Sequence, residues 1–401
     1  MTGPDIHATL YCGDNLRVME SLPEGFVDLC YTDPPFFSSR HYEVLWEETA
    51  ERRLFEDRWK GGLQVYLDWM APRIRQIHRL LKPTGSFYLH CDWHAGHYLK
   101  VLCDSIFGYR NFINEVVWYY KGAGISPRYW GRRHDTIFWY ARGKEWYFDP
   151  DPVRMPYAET TQERFSHYIG NVRKGKDFGS QVLNPKGKHP DDILQVPIEA
   201  PSSRKRLGYP TQKPEALLYK LVASSSQSGS MVFDPFCGCG TTLAVAQQLG
   251  RKWSGCDVSP TALRIVKERL GRAGAASVNI VGMPATRAEL RAMDPFEFQN
   301  WAVSTLFGIH TPSRVGDRGI DGFTGWLQTP IQVKQQEHVG RPTVQQFRGS
   351  IAVKKKGVMV SLGYTKGAHE EAARLKNEEG IEVVLLTAED ILNPDFDSVG
   401  L

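Results

Sequence analysis

The order of apolar segments predicts an α/β protein in two parts: a larger parallel, doubly wound sheet and a smaller C-terminal α/β domain. Short strand-like segments alternate with segments of helical periodicity over residues 8–270. A run of small residues at 271–277 (GRAGAAS) interrupts this pattern, and a new series of helix and strand signals begins near Pro295. The chain is therefore expected to divide into domains at 1–283 and 284–401.

The first predicted strand, 27–32 (VDLCYT), has to end at Asp33 because two prolines follow, and proline can continue neither a β-ladder nor a helix. Periodicity then predicts a helix over 66–81, with one apolar face: Leu67, Met70, Ile74, Ile77 and Leu81. The other elements predicted for the first part are strands 86–90, 231–233 and 253–256 and helices 95–107, 214–225, 241–249 and 260–270. The second part is predicted to contain helix 296–306 and strands 331–334, 357–362 and 382–386.

The composition excludes several classes of protein. Hydrophobic residues make up 41% of the 401 residues and charged residues 23%, which excludes a disordered, collagen-like or coiled-coil chain. No apolar run approaches the ~20 residues that span a bilayer, and residues 1–10 lack the pattern of a secretion signal. Seven cysteines, an odd number, then predict reduced thiols in a cytoplasmic protein.

Positive charge is concentrated in the middle of the chain. Residues 121–206 contain 16 Lys/Arg and 10 Asp/Glu, whereas residues 284–401 contain 13 and 15. Aromatic side chains such as Tyr129 and Trp130 are interleaved with these basic residues, a combination that suits a surface that follows a nucleic-acid backbone and stacks on bases. The alternative is an irregular region whose aromatic residues form its own core.

The segment FDPFCGCGTT at 233–242 joins a predicted strand to a predicted helix. Its glycines allow the backbone to approach a ligand, and the helix start offers free N–H groups. Asp257 ends the next strand, where a carboxylate can accept hydrogen bonds from ribose hydroxyls. The segment is neither a Walker loop nor a complete dinucleotide fingerprint, so a glycine-rich turn with a helix-capping aspartate is the alternative.

The segment TDPPF at 32–36 is the second candidate for a functional loop. The Asp33 carboxylate and the Pro34 carbonyl are two acceptors that can face one spot and hold both hydrogens of an exocyclic amino group. Phe36 can stack on the ring that bears this group. The alternative is a plain Asp-Pro-Pro turn.

Together these two segments resemble the amino-group DNA methyltransferases that use S-adenosylmethionine. The order of catalytic motif, basic region and cofactor loop is similar to the beta arrangement of that family, which implies a Rossmann-like methyltransferase sheet and a target-recognition region at 118–206. GYPTQKP at 208–214 and CGD at 12–14 resemble two further family elements, although Cys237 and Cys239 replace the usual small residues. The resemblance implies these cofactor-binding residues: Asp14, Thr32, Lys213, Asp234, Pro235, Phe236, Gly238, Gly240, Thr241 and Asp257.

The resemblance also implies the reaction: a methyl group is transferred to an amino nitrogen of a base that has left the DNA duplex. Asp33, Pro34, Pro35 and Phe36 are then the catalytic residues. Adenine N6 is the favoured target because N4-cytosine members of the family more often have serine in place of Asp33. Cytosine N4 is the alternative target. Double-stranded DNA is the expected partner, no membrane is expected, and a homodimer is left open.

The C-terminal part resembles the Mrr branch of the PD-(D/E)xK nucleases through GDRGIDG at 316–322 and IQVK at 331–334. That resemblance implies that Asp321 binds Mg²⁺, Gln332 replaces the usual second acid and Lys334 orients the attacking water. The glutamines at 332 and 299 weaken the acid set, so a nuclease-like domain kept for DNA binding is the alternative.

Two alternative functions remain at the level of sequence. One is a nuclease whose methyltransferase half mainly recognises DNA, and the other is a DNA-binding protein without catalysis. His90, His94 and His97 have a spacing that suits zinc, but no fourth ligand is evident, so we interpret them as solvated or helix-capping residues.

Overall fold

The structure is a computed structural model. It describes residues 6–37, 62–122, 127–166, 170–180, 182–198, 212–258, 260–293, 295–306, 308–310, 320–324 and 329–393. Residues 208–211 of the GYPTQKP segment, Asp294 and residues 316–319 of the GDRGIDG segment therefore lie outside the described residues.

Strands and helices alternate along the chain. The strands are β1 Thr9–Cys12, β2 Val27–Thr32, β3 Leu81–Cys91, β4 Phe112–Tyr119, β5 His134–Ala141, β6 Gly170–Arg173, β7 Lys176–Ser180, β8 Ile193–Gln195, β9 Met231–Asp234, β10 Lys252–Asp257, β11 Asn279–Val281, β12 Gly308–His310, β13 Gly322–Thr324, β14 Pro330–Lys334, β15 Lys356–Ser361 and β16 Glu382–Thr387. The helices are α1 Asn15–Ser21, α2 Leu63–Leu80, α3 Gly96–Phe107, α4 Glu159–Phe165, α5 Glu215–Ser225, α6 Thr241–Gln248, α7 Pro260–Arg272, α8 Arg287–Ala292, α9 Pro295–Thr305, α10 Arg341–Ile351, α11 Lys366–Arg374 and α12 Ala388–Leu392.

The larger sheet has the order β11-β1-β10-β9-β2-β3-β5-β4-β8 within the described residues. The strands from β11 to β3 are parallel, as predicted, but β5 runs antiparallel to both β3 and β4. The sheet is therefore mixed: its parallel part agrees with the predicted doubly wound sheet, and β5 adds antiparallel pairing that the sequence did not predict. β4, β5 and β8 come from within or beside the basic region, where the sequence pattern had suggested no strands of this sheet.

Helices cover both faces of this sheet. On one face, α5, α6 and α7 pack through leucine and valine side chains such as Leu218, Leu243 and Val266. On the other face, α1, α2 and α3 pack through residues such as Met70 and Leu99. Alternate residues of each strand face opposite helical layers, so the central strands are buried on both sides, as in other parallel α/β sheets.

The C-terminal part has its own sheet, with the order β12-β13-β14-β15-β16. β12, β13 and β14 form an antiparallel series, and β14, β15 and β16 are parallel. Two clusters of buried apolar residues lie on this sheet, one of them around Phe298 and Trp301 of α9 and the other around Phe347 of α10. This part of the chain thus has an apolar core of its own, in agreement with the predicted α/β domain.

Candidate active site

The two motifs predicted from sequence meet at one edge of the larger sheet. β9 and β2 are parallel neighbours, with Cys30 opposite Phe233, so their following loops begin side by side at the carboxyl ends of the strands. The strand after β9 (β10) lies on one side of this pair, and the strand after β2 (β3) lies on the other. Such a point, where the connections diverge, leaves a crevice that binds ligands in open α/β sheets.

Asp33 forms an ion pair that the sequence did not predict. Lys213 Nζ donates to Asp33 Oδ2 over 2.6 Å, and both side chains are largely buried. The same ammonium lies 5.1 Å from the centre of the Phe36 ring, within cation–π distance. Lys213 thus joins the segment before α5 to the TDPPF motif. It contacts Asp33, which is predicted to hold the amino group, and Phe36, which is predicted to stack on the base ring.

Asp234 is a carboxyl group in an unfavourable environment for charge. It is 2% exposed, and this burial is the main reason that its pKa rises to about 7, supported by the nearby negative charges of Asp33 and Asp257. Hydrogen bonds from Thr242 and from the Phe236 backbone N–H oppose the rise. Asp234 is therefore a titratable group near neutral pH beside the predicted catalytic carboxylate.

The glycine-rich loop is held by the ends of its neighbouring strands. The Gly238 N–H donates to Asp257 Oδ2 over 2.9 Å, and the Cys237 N–H donates to the Cys256 carbonyl over 3.0 Å. The Asp257 carbonyl accepts from the Gly13 N–H over 3.0 Å, which adds the loop after β1 to the same edge. The predicted cofactor-binding residues from three separate loops are thus brought together.

Arg269 of α7 is a buried cation that sequence reasoning missed. Its guanidinium donates to the Cys239 carbonyl over 3.1 Å, to Thr241 Oγ1 over 2.9 Å and to Glu215 Oε1 over 2.8 Å. It therefore connects the end of the glycine-rich loop, the start of α6 and the start of α5. The helical periodicity of 260–270 gave no sign of this role, because the arginine resembles an ordinary surface residue in sequence.

Asp14 is predicted to bind the cofactor, and in the structure it is the N-cap of α1. Its Oδ1 accepts from the Leu16 and Arg17 N–H groups, and its Oδ2 accepts from Arg73 over 2.6 Å. Asn15 accepts from the same guanidinium over 2.7 Å and donates to the Pro235 carbonyl over 2.9 Å. Arg73 and Asn15, which were not predicted, thus position Asp14 against the loop after β9.

Thr32 and His90 lie on neighbouring strands below the catalytic motif. The Thr32 hydroxyl is fully buried, with no hydrogen-bond partner within the described residues. His90 is fully buried as well, with Nδ1 2.8 Å from the Tyr31 hydroxyl and Nε2 3.3 Å from Asp135 Oδ2. Its ring centre is 5.8 Å from that of Phe36. The interpretation of His90 as a solvated or capping residue is therefore wrong. The neighbouring strand β5 supplies Asp135 as a hydrogen-bond partner for the buried ring.

Burial acts to raise the pKa of Asp135, but the hydrogen bond with His90, the charge of Lys213 and the Tyr120 hydroxyl together outweigh that effect and hold this pKa below its usual value. Tyr120 adds a hydrogen bond of 3.2 Å to the same carboxylate. His90, Asp135 and Tyr120 thus form a hydrogen-bonded network that packs against the Phe36 ring through His90.

In the C-terminal sheet, Asp321 lies directly before β13, and Gln332 lies on β14, the antiparallel neighbour of β13. The Asp321 N–H donates to the Ile331 carbonyl, and Asp321 Oδ2 accepts from the Val333 N–H, both over 2.7 Å. Gln332 is 2% exposed, and Lys334 ends β14. The three residues are therefore close along one hairpin, and no group of three or more potential metal ligands is found within the described residues.

Two family profiles match the chain. The DNA methylase profile N6_N4_Mtase matches residues 27–268, more than half of the chain, and the restriction endonuclease profile Mrr_cat matches residues 290–393.

Among the described residues, the structure has no helix with the length and apolar character of a membrane span.

Curated relatives match the N-terminal part. The chain is 29% identical to the type II methyltransferase M.BglII of Bacillus subtilis over 62% of this chain and 65% of that enzyme, less than two thirds of its length. It is 28% identical to the DNA adenine methyltransferase YhdJ of Escherichia coli over 65% of this chain and 82% of that enzyme.

Two solved structures are similar in fold at lower identity. One is a protein from Thermus thermophilus described as a DNA modification methylase, in complex with S-adenosyl-L-methionine (21% identity, TM-score 0.44, 69% of this chain and 99% of that chain). The other is the cytosine-N4-specific PvuII DNA methyltransferase (18% identity, TM-score 0.46, 69% of this chain and 98% of that chain). On the family profiles, the chain belongs to the N6/N4 DNA methylase family and carries a C-terminal domain of the Mrr restriction endonuclease family.

Proposed function

We propose that the protein transfers a methyl group from S-adenosylmethionine to the exocyclic amino group of a base in double-stranded DNA, with adenine N6 favoured over cytosine N4. The observation that carries this proposal is the meeting of Asp33 and the Asp234 loop at the carboxyl ends of two neighbouring parallel strands. A catalytic carboxylate motif and a glycine-rich ligand loop at one switch point are what such a transfer requires.

The residues at this edge fit the proposed cofactor. Asp234 and Asp257 end two strands and Asp14 lies in the loop after β1, and their carboxyl oxygens are acceptors that suit ribose hydroxyls and an ammonium group. The backbone at Gly13 has φ +147°, and a Cβ built there would meet no described atom within 4 Å, so the loop after β1 borders open space. The Thr32 hydroxyl, which has no hydrogen-bond partner in the described part of the chain, adds a buried polar group close to the catalytic motif.

The chain's own residues position the base. The Asp33 carboxylate and the Pro34 carbonyl accept the two amino hydrogens, and Phe36 stacks on the base ring, so that the nitrogen lone pair is directed away from the protein acceptors. When bound, S-adenosylmethionine supplies an electrophilic methyl group. Asp33 stabilises the positive charge that develops on the amine as the new bond forms, which is the effect expected of a preoriented carboxylate. Pro35 keeps this backbone extended.

The test is methylation of plasmid DNA with labelled cofactor, followed by base analysis and by single-molecule sequencing for position. N6-methyladenine is expected. Detection of N4-methylcytosine would contradict the choice of adenine but support methyl transfer to an amino group. Absence of label in the DNA at saturating cofactor would contradict methyl transfer itself.

For residues 284–401 we propose a second function, Mg²⁺-dependent DNA cleavage by Asp321, Gln332 and Lys334. The hairpin that brings Asp321 beside β14 supports it, because a nuclease metal site needs a carboxylate and a cation on adjacent strands. Asp321 would hold the metal. A domain that only binds DNA is the alternative, and cleavage assays with and without Mg²⁺ separate the two.

The division at 1–283 and 284–401, with target recognition at 118–206, belongs to the same proposal, as does a cytoplasmic location, which the seven free cysteines support.

A further inference from the structure

The loop between β4 and β5 carries two of the most exposed aromatic rings in the described residues. Tyr129 is 57% exposed and Trp130 is 95% exposed. β3 and β4 are both antiparallel to β5, so β4 ends and β5 begins at the edge where β2 and β3 end. Residues 127–133, which lead into β5, therefore lie at the edge of the sheet that carries Asp33.

This loop is attached to the end of β3 by a stack of planar groups. The Arg132 guanidinium carbon lies 4.0 Å from the centre of the Trp93 ring and 4.9 Å from that of Tyr129. The His94 ring centre lies 3.7 Å from that of Trp93, at an angle of 29°. Two planar groups this close to one ring centre would collide on a single face, so His94 and Arg132 occupy opposite faces of Trp93.

Asp92 holds the histidine of this stack. Asp92 Oδ2 lies 2.5 Å from His94 Nδ1, and Asp92 Oδ1 accepts from the His94 N–H over 3.0 Å. These contacts hold His94 at the end of β3, and His94 holds Trp93. Arg132 then connects Tyr129 to Trp93, and the rings of Tyr129 and Trp130 are exposed at the edge of the sheet that carries Asp33.

We propose that Tyr129 and Trp130 form a surface that stacks on unpaired nucleobases of the DNA, and that Trp93 and Arg132 position it. The inference rests on the proposed function, in which a base leaves the duplex and its neighbours lose a stacking partner. Exposed aromatic rings beside cations match the chemistry of unpaired bases joined by phosphates. The charge agrees, since Lys121, Arg128 and Arg133 lie in the same β4–β5 hairpin.

The chain offers a matched control at the opposite edge of the sheet. Tyr109, which precedes β4, is 73% exposed and has the Lys100 ammonium 4.8 Å from its ring centre. It repeats the pairing of an exposed aromatic ring with a cation, at the end of the sheet remote from Asp33.

The experiment measures binding of the full chain to a DNA duplex at several salt concentrations. The duplex contains the sequence that the plasmid test identifies as the methylation target. Tyr129→Ala and Trp130→Ala should each weaken DNA binding by about 10-fold or more. The slope of log K against log salt should stay at the wild-type value, because stacking releases no counterions. Tyr109→Ala should bind as the wild type does, and thermal unfolding checks that all variants fold.

The positioning part is tested at Trp93. Trp93→Ala should weaken binding in the same salt-independent way, and Trp93→Phe, which keeps a ring for Arg132, should restore it. If the wild type methylates DNA but the Tyr129 and Trp130 variants bind as Tyr109→Ala does, the inference is wrong and the proposed function stands. A reduced salt slope would indicate phosphate contacts instead, and would also overturn it. Failure of the wild type to bind DNA would contradict both.

Discussion

Asp33 and Asp234 show how neighbouring strands give two carboxyl groups different properties. Asp33 forms a charge-assisted contact with the Lys213 ammonium over 2.6 Å. Asp234 is more deeply buried and lies near two other carboxylates, and its pKa rises to about 7. The first group suits the acceptor role that we propose for the target amine, and the second can change charge near neutral pH.

The first prediction concerns Asp33→Asn. The amide keeps the size of the side chain but loses the charge that is aimed at the amine, so methyl transfer should fall by about 10²–10³-fold or more. Binding of S-adenosylmethionine, measured by calorimetry, should change little. The matched control is Asp28→Asn on the same strand, where Asp28 pairs with Lys82 over 2.8 Å at the opposite end. Near-normal methylation by Asp33→Asn would show that the motif is not catalytic.

The second prediction follows from the pKa of Asp234. The folded-state pKa, about 7, lies above the ordinary value of 3.8, so between these values the folded protein binds more protons than the unfolded chain. The stability contributed by this group is therefore present at about pH 4 and is lost as the pH rises through about 7. Asp234→Asn stays neutral and should gain stability relative to the wild type between about pH 5 and pH 8. Urea unfolding at both pH values measures this, and a pH-independent difference would contradict it.

At the scale of elements, the glycine-rich loop depends on a left-handed backbone that only glycine adopts cheaply. Gly240 has φ +72°, and a Cβ built there would lie 2.7 Å from Val266 Cγ1 of α7. The loop therefore packs against α7 where Arg269 also holds it. The start of α6 is fixed both by conformation and by close contact with a helix that follows later in the chain.

The third prediction separates these two effects. Gly240→Ala should lower the free energy of unfolding by about 2–4 kcal/mol, from backbone strain and from the collision with Val266. Gly229→Ala is the control for strain alone, because Gly229 has φ +80° and no described atom within 4 Å of a built Cβ, and should cost about 1–2 kcal/mol. Equal losses in denaturant unfolding would mean that the contact with α7 contributes nothing.

At the scale of the whole molecule, the chain joins two α/β units whose proposed reactions need different groups. Methyl transfer needs Asp33 and no metal, whereas cleavage needs Asp321, Lys334 and Mg²⁺. The candidate residues also lie in different sheets. The two activities should therefore be separable by single substitutions.

The fourth prediction is that Asp321→Asn and Lys334→Ala leave plasmid methylation at the wild-type level and abolish Mg²⁺-dependent cutting. Asparagine keeps an oxygen that can accept from the Val333 N–H, so the hairpin should survive. EDTA should stop cutting by the wild type without affecting methylation. Cutting by Asp321→Asn would contradict the site, and no cutting by the wild type on methylated or unmethylated DNA would favour the alternative of a domain that only binds DNA.

The sequence by itself determined the features that depend on local chain chemistry. Two prolines force β2 to end before Asp33, glycines mark the loop after β9, and periodicity indicates helices such as α2, because each constraint acts over a few residues. The spacing of Asp321 and Gln332 is also compatible with the antiparallel pairing of β13 and β14, because Asp321 directly precedes β13.

Only the tertiary structure decided which distant side chains meet. The Asp33–Lys213 pair joins residues 180 positions apart, and the contact of His90 with Asp135 exists because β5 lies antiparallel to β3. These partners carry no periodic or turn signal, since a lysine or histidine reads alike in sequence whether it is solvated or buried. Strand order and direction, set by burial on both faces of the sheet, place them at the site.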